Sequence, residues 1–96
     1  MSRQAEGRLA AAIVRRLNAL PGTLVRKRHG TAFAVAGDPD LSGSCRGRHV
    51  EMEVKMPGEV PTKIQENRLA EWAAAGAVAG VVTSVEEALA LVETLP

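Results

Sequence analysis

The chain has 96 residues, which fits one domain spanning 1–96 and leaves little room for a second. With 46% hydrophobic and 24% charged residues it has an ordinary globular composition, and no stretch is long and apolar enough to span a membrane. The net charge is only +1, but residues 1–50 carry nine Lys/Arg against three acids and residues 51–96 three against eight, so one basic surface could meet a polyanion.

The opening residues Met1 to Glu6 lack the apolar run of a signal peptide. A helix is predicted from Ser2 to Leu20, with Ser2 as its N-cap and Pro21-Gly22 as its stop. Leu9, Ile13, Leu17 and Leu20 share one face, and Arg8, Arg15 and Arg16 lie off it. Two strands follow, Thr23 to Arg28 and Thr31 to Ala36, joined by a His29-Gly30 hairpin turn. Gly37-Asp38-Pro39 breaks the second strand, and Ser42 to Gly47, containing the single Cys45, reads as a turn. One cysteine can form neither an internal disulfide nor a multi-thiolate zinc site, and it fits a reducing cytosol.

The clearest strand is His49 to Lys55. Val50, Met52 and Val54 point one way and His49, Glu51, Glu53 and Lys55 the other, until Pro57-Gly58 ends it. A helix is expected from Lys63 to Ala75, with Thr62 and Gln65 at capping-box spacing and Gly76 at its end. Ala77 to Thr83 is a small-apolar run suited to a strand covered on both faces. Ser84 caps a last helix to Leu95, with Glu86 and Glu87 in its first turn. The order αβββαβα implies an α/β fold: an antiparallel meander followed by a parallel crossover.

Glu53 and Lys55, two apart on a strand, project from one face. Asp40, after Pro39 at the end of the preceding strand, converges on Glu53 if the strands pair. Two carboxylates and a lysine at one point are costly unless they serve a hard divalent cation such as magnesium, which prefers carboxylate oxygens and bridges to substrate phosphate. Lys55 could then hold or deprotonate the attacking water and offset charge on the phosphate. The competing reading is a solvated strand face of alternating charges. Glu6 falls inside the apolar stripe of the first helix, and Gln65 lies on the face of the second that should pack on the sheet as well as in its capping box. His29 and His49 are expected bystanders, because a hard ion prefers oxygen.

The segments Gly37-Asp38-Pro39-Asp40-Leu41, Gly47 to Lys55, and Thr62-Lys63-Ile64-Gln65, with Ala74 to Ala77 and Val81 to Ala88 after them, resemble a nuclease of the PD-(D/E)XK superfamily. Within it, the sequence is similar to the VRR-NUC group, the virus-type replication-repair nuclease domain, over nearly the whole chain. The resemblance implies a restriction-endonuclease-like core, αβββαβ(α), with a mixed central sheet flanked by helices. It implies that Asp40 and Glu53 bind the catalytic ion, with the Val54 carbonyl as a further ligand and Glu6 as the first-helix acid near the metal. Lys55 would be the catalytic lysine, Gln65 the helix glutamine at the site, and Mg2+ or Mn2+ the cofactor. The implied reaction is phosphodiester hydrolysis in DNA, including branched DNA. Stand-alone members resemble Holliday junction resolvases, which work as dimers, and a bacterial cytoplasm or a phage-infected host would suit the family.

Two acids depart from the pattern. Asp38 competes with Asp40 for the metal role, and Glu51 adds a supporting acid on the Glu53 face. Arg26, Lys27 and Arg28 on the early hairpin, and Arg46 and Arg48 beside the turn, become candidate phosphate contacts, which give affinity without reading sequence. With only Phe33 and Trp72 as aromatics, binding by shape is favoured over base stacking. The leading expectation is a metal-dependent endonuclease, minimal and with no obvious extra DNA-recognition element, acting on structured DNA as a homodimer. Its rivals are a non-cleaving nucleic-acid-binding or assembly module on the same fold, and a small α/β interaction domain carrying the pattern by chance.

Overall fold

The computed structural model describes residues 2–93. Seven elements follow in order: α1 (Ser2–Asn18), β1 (Thr23–Lys27), β2 (Leu41–Cys45), β3 (Arg48–Val54), α2 (Lys63–Ala74), β4 (Val78–Val82) and α3 (Val85–Glu93). The Ser2 side chain, expected to cap α1, and Leu95, the expected end of α3, lie outside the described residues.

The strands form one sheet in the order β1-β2-β3-β4. β1 to β3 make an antiparallel meander, and β4 joins β3 in parallel after the α2 crossover. The fold is therefore mixed α/β, as expected from the element order.

The second strand is not where the sequence placed it. Thr31 to Ala36 forms turns and not a strand, and His29-Gly30 is not a hairpin turn. β2 is instead Leu41–Cys45, most of the stretch read as a turn, and it pairs on both sides. The alternation Thr-Ala-Phe-Ala-Val-Ala suits a strand locally, but pairing and burial decide which segment enters a sheet. Leu41 and Cys45 are fully buried, whereas Phe33 is 95% exposed. Between them Gly43 permits the close approach of β1, because a Cβ there would run into the Leu24 carbonyl oxygen and the Val25 Cα. The hairpin turn is Arg46-Gly47, with φ of 49° and 82°. Positive φ at both central residues matches the right-handed twist of the strands it joins.

One sheet face carries the apolar core. Val25, Leu41, Cys45, Val50, Met52, Val54 and Val82 meet Ala10, Ile13 and Leu17 of α1 and Ala88 and Val92 of α3. Leu9 and Leu20, the outer members of the expected α1 stripe, pack partly buried at its margin. Truncating Ile13 or Leu17 to alanine should cost about 2–5 kcal/mol. The carboxamide of Asn18 closes the end of α1 onto β1, donating to the Val25 carbonyl at 3.0 Å and accepting the Val25 N–H at 2.8 Å.

α2 lies over the opposite face, where Trp72 stacks on His49 with ring centroids 5.0 Å apart. The expected capping box is present: Thr62 Oγ1 accepts from the Gln65 N–H, and Gln65 Oε1 accepts from the Thr62 N–H at 2.8 Å. Ser84 caps α3 by accepting the Glu87 N–H at 3.0 Å. Among the described residues no helix is long and apolar enough to cross a membrane.

Candidate active site

Both faces of β3 are buried. Val50, Met52 and Val54 enter the apolar core, and on the other face Glu51 is 0% and Glu53 3% exposed. This rules out a solvated face of alternating charges. Buried carboxylates need partners, and the two acids find very different ones.

Glu51 is fully satisfied. Arg28 grips it with two N–H groups, Nη1 to Oε1 at 2.8 Å and Nη2 to Oε2 at 3.1 Å. Ser42, its cross-strand neighbour, donates at 2.5 Å, and His49 Nε2 lies 2.6 Å away. Burial pushes the Glu51 carboxyl up, but these hydrogen bonds outweigh it and hold the group below the ordinary carboxylate range. The supporting role expected for Glu51 is thus a built polar core.

Glu53 is not satisfied. Its Oε1 is buried with no hydrogen-bond partner, and its Oε2 has Lys55 Nζ at 3.8 Å. Burial, followed by the charge and hydrogen bonding of Asp40, pushes the Glu53 carboxyl up to about 8. An orphan buried oxygen beside a second carboxylate is what a hard cation would satisfy. Asp40 and Glu53 are the pair that could hold one, and magnesium needs only one or two carboxylates because it keeps several waters. Among the described residues no three His, Cys, Asp or Glu side chains gather into a ready-made metal cage.

Asp40 immediately precedes β2 and reaches the far end of β3, where its Oδ2 accepts the Val54 N–H at 2.9 Å. Arg28 places it: the Arg28 N–H donates to the Asp40 carbonyl at 2.7 Å, and Nη1 donates to the Pro39 carbonyl at 2.6 Å. Asp38, the rival acid, is committed elsewhere. Its Oδ1 accepts from the Trp72 indole at 3.2 Å, and Arg28 Nε is 4.0 Å from its Oδ2. Lys55 follows β3, anchored by its N–H to the Val82 carbonyl at 3.0 Å, with a side chain only 14% exposed.

Glu6 comes to the same region from α1, sharing a cleft with Asp40. A hydrogen bond with Glu59, followed by burial, pushes its carboxyl up, and Glu59 moves down in mirror image. Glu59 was missed by the sequence reading. It follows the Pro57-Gly58 turn at no telling spacing from Lys55, and only the fold brings it to Glu6. Gln65 spends its Oε1 on the capping box.

The five basic candidates divide. Arg26 and Lys27 are exposed on β1. Arg28 is committed to Glu51, Arg46 donates to the Val92 carbonyl at 3.2 Å, and Arg48 donates to the Gly76 carbonyl at 3.2 Å. Arg28 alone of these is drawn inward; Arg46 and Arg48 remain exposed.

No family sequence model matches the chain, and no curated protein does. Solved structures do. One, a VRR-NUC domain, is 31% identical with a TM-score of 0.76, the match covering 95% of this chain and 97% of that one. Another, a VRR-NUC domain protein, is 17% identical with a TM-score of 0.76 over 92% of this chain and 84% of that one, a likeness of fold alone. The sheet order, the buried acids of β3 and these likenesses agree on a restriction-endonuclease-like nuclease fold, and the chain belongs to the VRR-NUC domain family.

Proposed function

We propose that this chain is a divalent-metal-dependent endonuclease that hydrolyses phosphodiester bonds in DNA, with branched or otherwise structured DNA as its substrate class. The observation that carries the reading is the buried, unpartnered Glu53 Oε1 beside Asp40. Asp40 and Glu53, with the Val54 carbonyl and the nearby Glu6, would hold Mg2+ or Mn2+. When bound, such an ion polarises a phosphoryl oxygen and offsets the charge building on it.

The chain's own groups supply the rest. Lys55, held near Glu53 by the end of β3, orients the attacking water and adds positive charge beside the phosphate. Glu53 would have to be deprotonated to hold such an ion, since the two compete for the same oxygens. Gln65, at the start of α2, serves the site from its capping position. Trp72 is engaged with His49 and Asp38, so DNA is held by its backbone and shape, with Arg26 and Lys27 as exposed phosphate contacts. A symmetric pair of subunits would set two such sites on two strands. The exposed apolar residues Phe33 and Val60, at 95% and 78%, give such a pair surface to bury.

The test is incubation with duplex, single-stranded, flap and four-way DNA in magnesium, manganese or chelator. Metal-dependent products that disappear in Lys55→Ala and Asp40→Asn, while DNA is still bound, are expected. DNA retained without products would instead make this a binding module, and neither binding nor products would sink the proposal.

A further inference from the structure

A phosphate approaching this site meets Asp40, Glu53, Glu6 and Glu59. The nearest cations are few, Lys55 alone beside Glu53 at the reacting end and Arg28 held on Glu51. A polyanion therefore needs other positive charge along its path. One cleft supplies it. Its lining is Arg3, Glu6, Gly7 and Ala10 from α1, Lys27 from the end of β1, and Asp40.

Two features of that lining run against stability, and its two cations are unengaged. Arg3 sits in the first turn of α1, where the helix dipole opposes a cation and no acid offsets it. Among the described residues neither Arg3 nor Lys27 has an ion pair. Gly7 lies inside a 17-residue helix, where glycine costs about 1 kcal/mol relative to alanine. The fold does not ask for it, since a Cβ at Gly7 would meet nothing within 4 Å. Departures from local preference that share one cleft beside a reactive site are the mark of function.

We infer that this cleft is the track for the phosphodiester backbone beside the cut, with Arg3 and Lys27 gripping phosphates from α1 and β1, and Gly7 left bare so that the strand can lie against the helix. The inference rests on the nuclease reading and adds Arg3 and Gly7 to it as substrate-positioning residues.

Binding is measured by fluorescence anisotropy of a fluorescein-labelled four-way DNA junction in EDTA over a salt series, beside cleavage in magnesium and thermal melts. The proteins are wild type, Arg3→Ala/Lys27→Ala, Gly7→Leu and, as a charge control on the same helix, Arg16→Ala. The double variant should bind roughly tenfold more weakly, and its salt slope should flatten by about two, one for each lost phosphate contact. In cleavage its KM should rise while kcat stays within about twofold. Gly7→Leu should bind more weakly without any fall in Tm, which a purely structural glycine would not allow. Arg16→Ala should match wild type. A double variant with unchanged affinity and salt slope overturns the track, and if wild type cuts DNA in that experiment the nuclease reading stands. Wild type that neither binds nor cuts overturns both.

Discussion

Asp40 and Val54 are joined across the end of the sheet, the Asp40 carboxylate accepting the Val54 N–H at 2.9 Å. One oxygen thus does structural work while the group as a whole supplies charge. The two roles separate by mutation. Asp40→Asn keeps an acceptor for Val54, so it should hold stability within about 1 kcal/mol while cleavage is lost. Asp40→Ala removes the acceptor as well and should cost a further 1–2 kcal/mol or so. Urea denaturation and a cleavage assay on the two variants check this.

Glu53 makes stability fall with rising pH. Its carboxyl titrates at about 8 in the folded chain, against an ordinary value of 4.5. Between those values the folded state keeps a proton that the unfolded state has lost. Stability therefore declines as pH rises through that window and levels off above it, by at most about 1.4 kcal/mol per pH unit for the one proton. Thermal melts from pH 5 to 9 should show this decline, and Glu53→Gln should flatten it. Magnesium should raise Tm more at the alkaline end, where it no longer competes with the proton. A wild-type profile that rises across the window would contradict a protonated Glu53.

Arg28 should prove to be a structural residue of the site. Arg28→Ala strands the buried Glu51 charge and frees the Pro39-Asp40 segment, at a cost of about 3–5 kcal/mol. Arg28→Lys should recover little, since an ammonium cannot reproduce the two-pronged grip. Arg28→Ala with Glu51→Gln should be less damaging than the sum of the two, because the stranded charge is gone. Chemical denaturation of the four proteins closes that cycle.

Gln65 can be tested apart from its cap. Thr62→Ala and Gln65→Ala each remove half of the capping box and should each cost about 1 kcal/mol. If Gln65 also serves the cut, Gln65→Ala loses more cleavage than Thr62→Ala at equal stability. Equal losses in the two variants would leave Gln65 with the cap alone.

Much of this was legible in the sequence, and what was not has definite causes. The helix periodicity of Ile13 and Leu17, the alternation of β3 and the Thr62 and Ser84 caps each report a local rule that the fold obeys. The second strand failed because Leu-Ser-Gly-Ser-Cys has turn chemistry. Its place in the sheet is earned by non-local facts, the burial of Leu41 and Cys45 and the close approach at Gly43. Asp40 was expected at the end of a strand and instead immediately precedes β2, so it approaches Glu53 from the start of the neighbouring strand. The commitments of Arg28, Arg46 and Arg48 and the arrival of Glu59 were not legible, since each depends on contacts between segments far apart in the chain.

α2 buries no residue fully. It sits on its sheet face through a ring stack, the Trp72–Asp38 and Arg68–Ala36 hydrogen bonds, and a polar layer beneath. Little oil glues it down, so the cost of lifting it away is small beside that of opening the α1–α3 side. In amide hydrogen exchange its backbone should trade deuterium well before Ile13 and Leu17 do, by local opening that leaves the rest of the molecule folded. The crossover that brings β4 alongside β3 is then the part of this protein with the freedom to breathe.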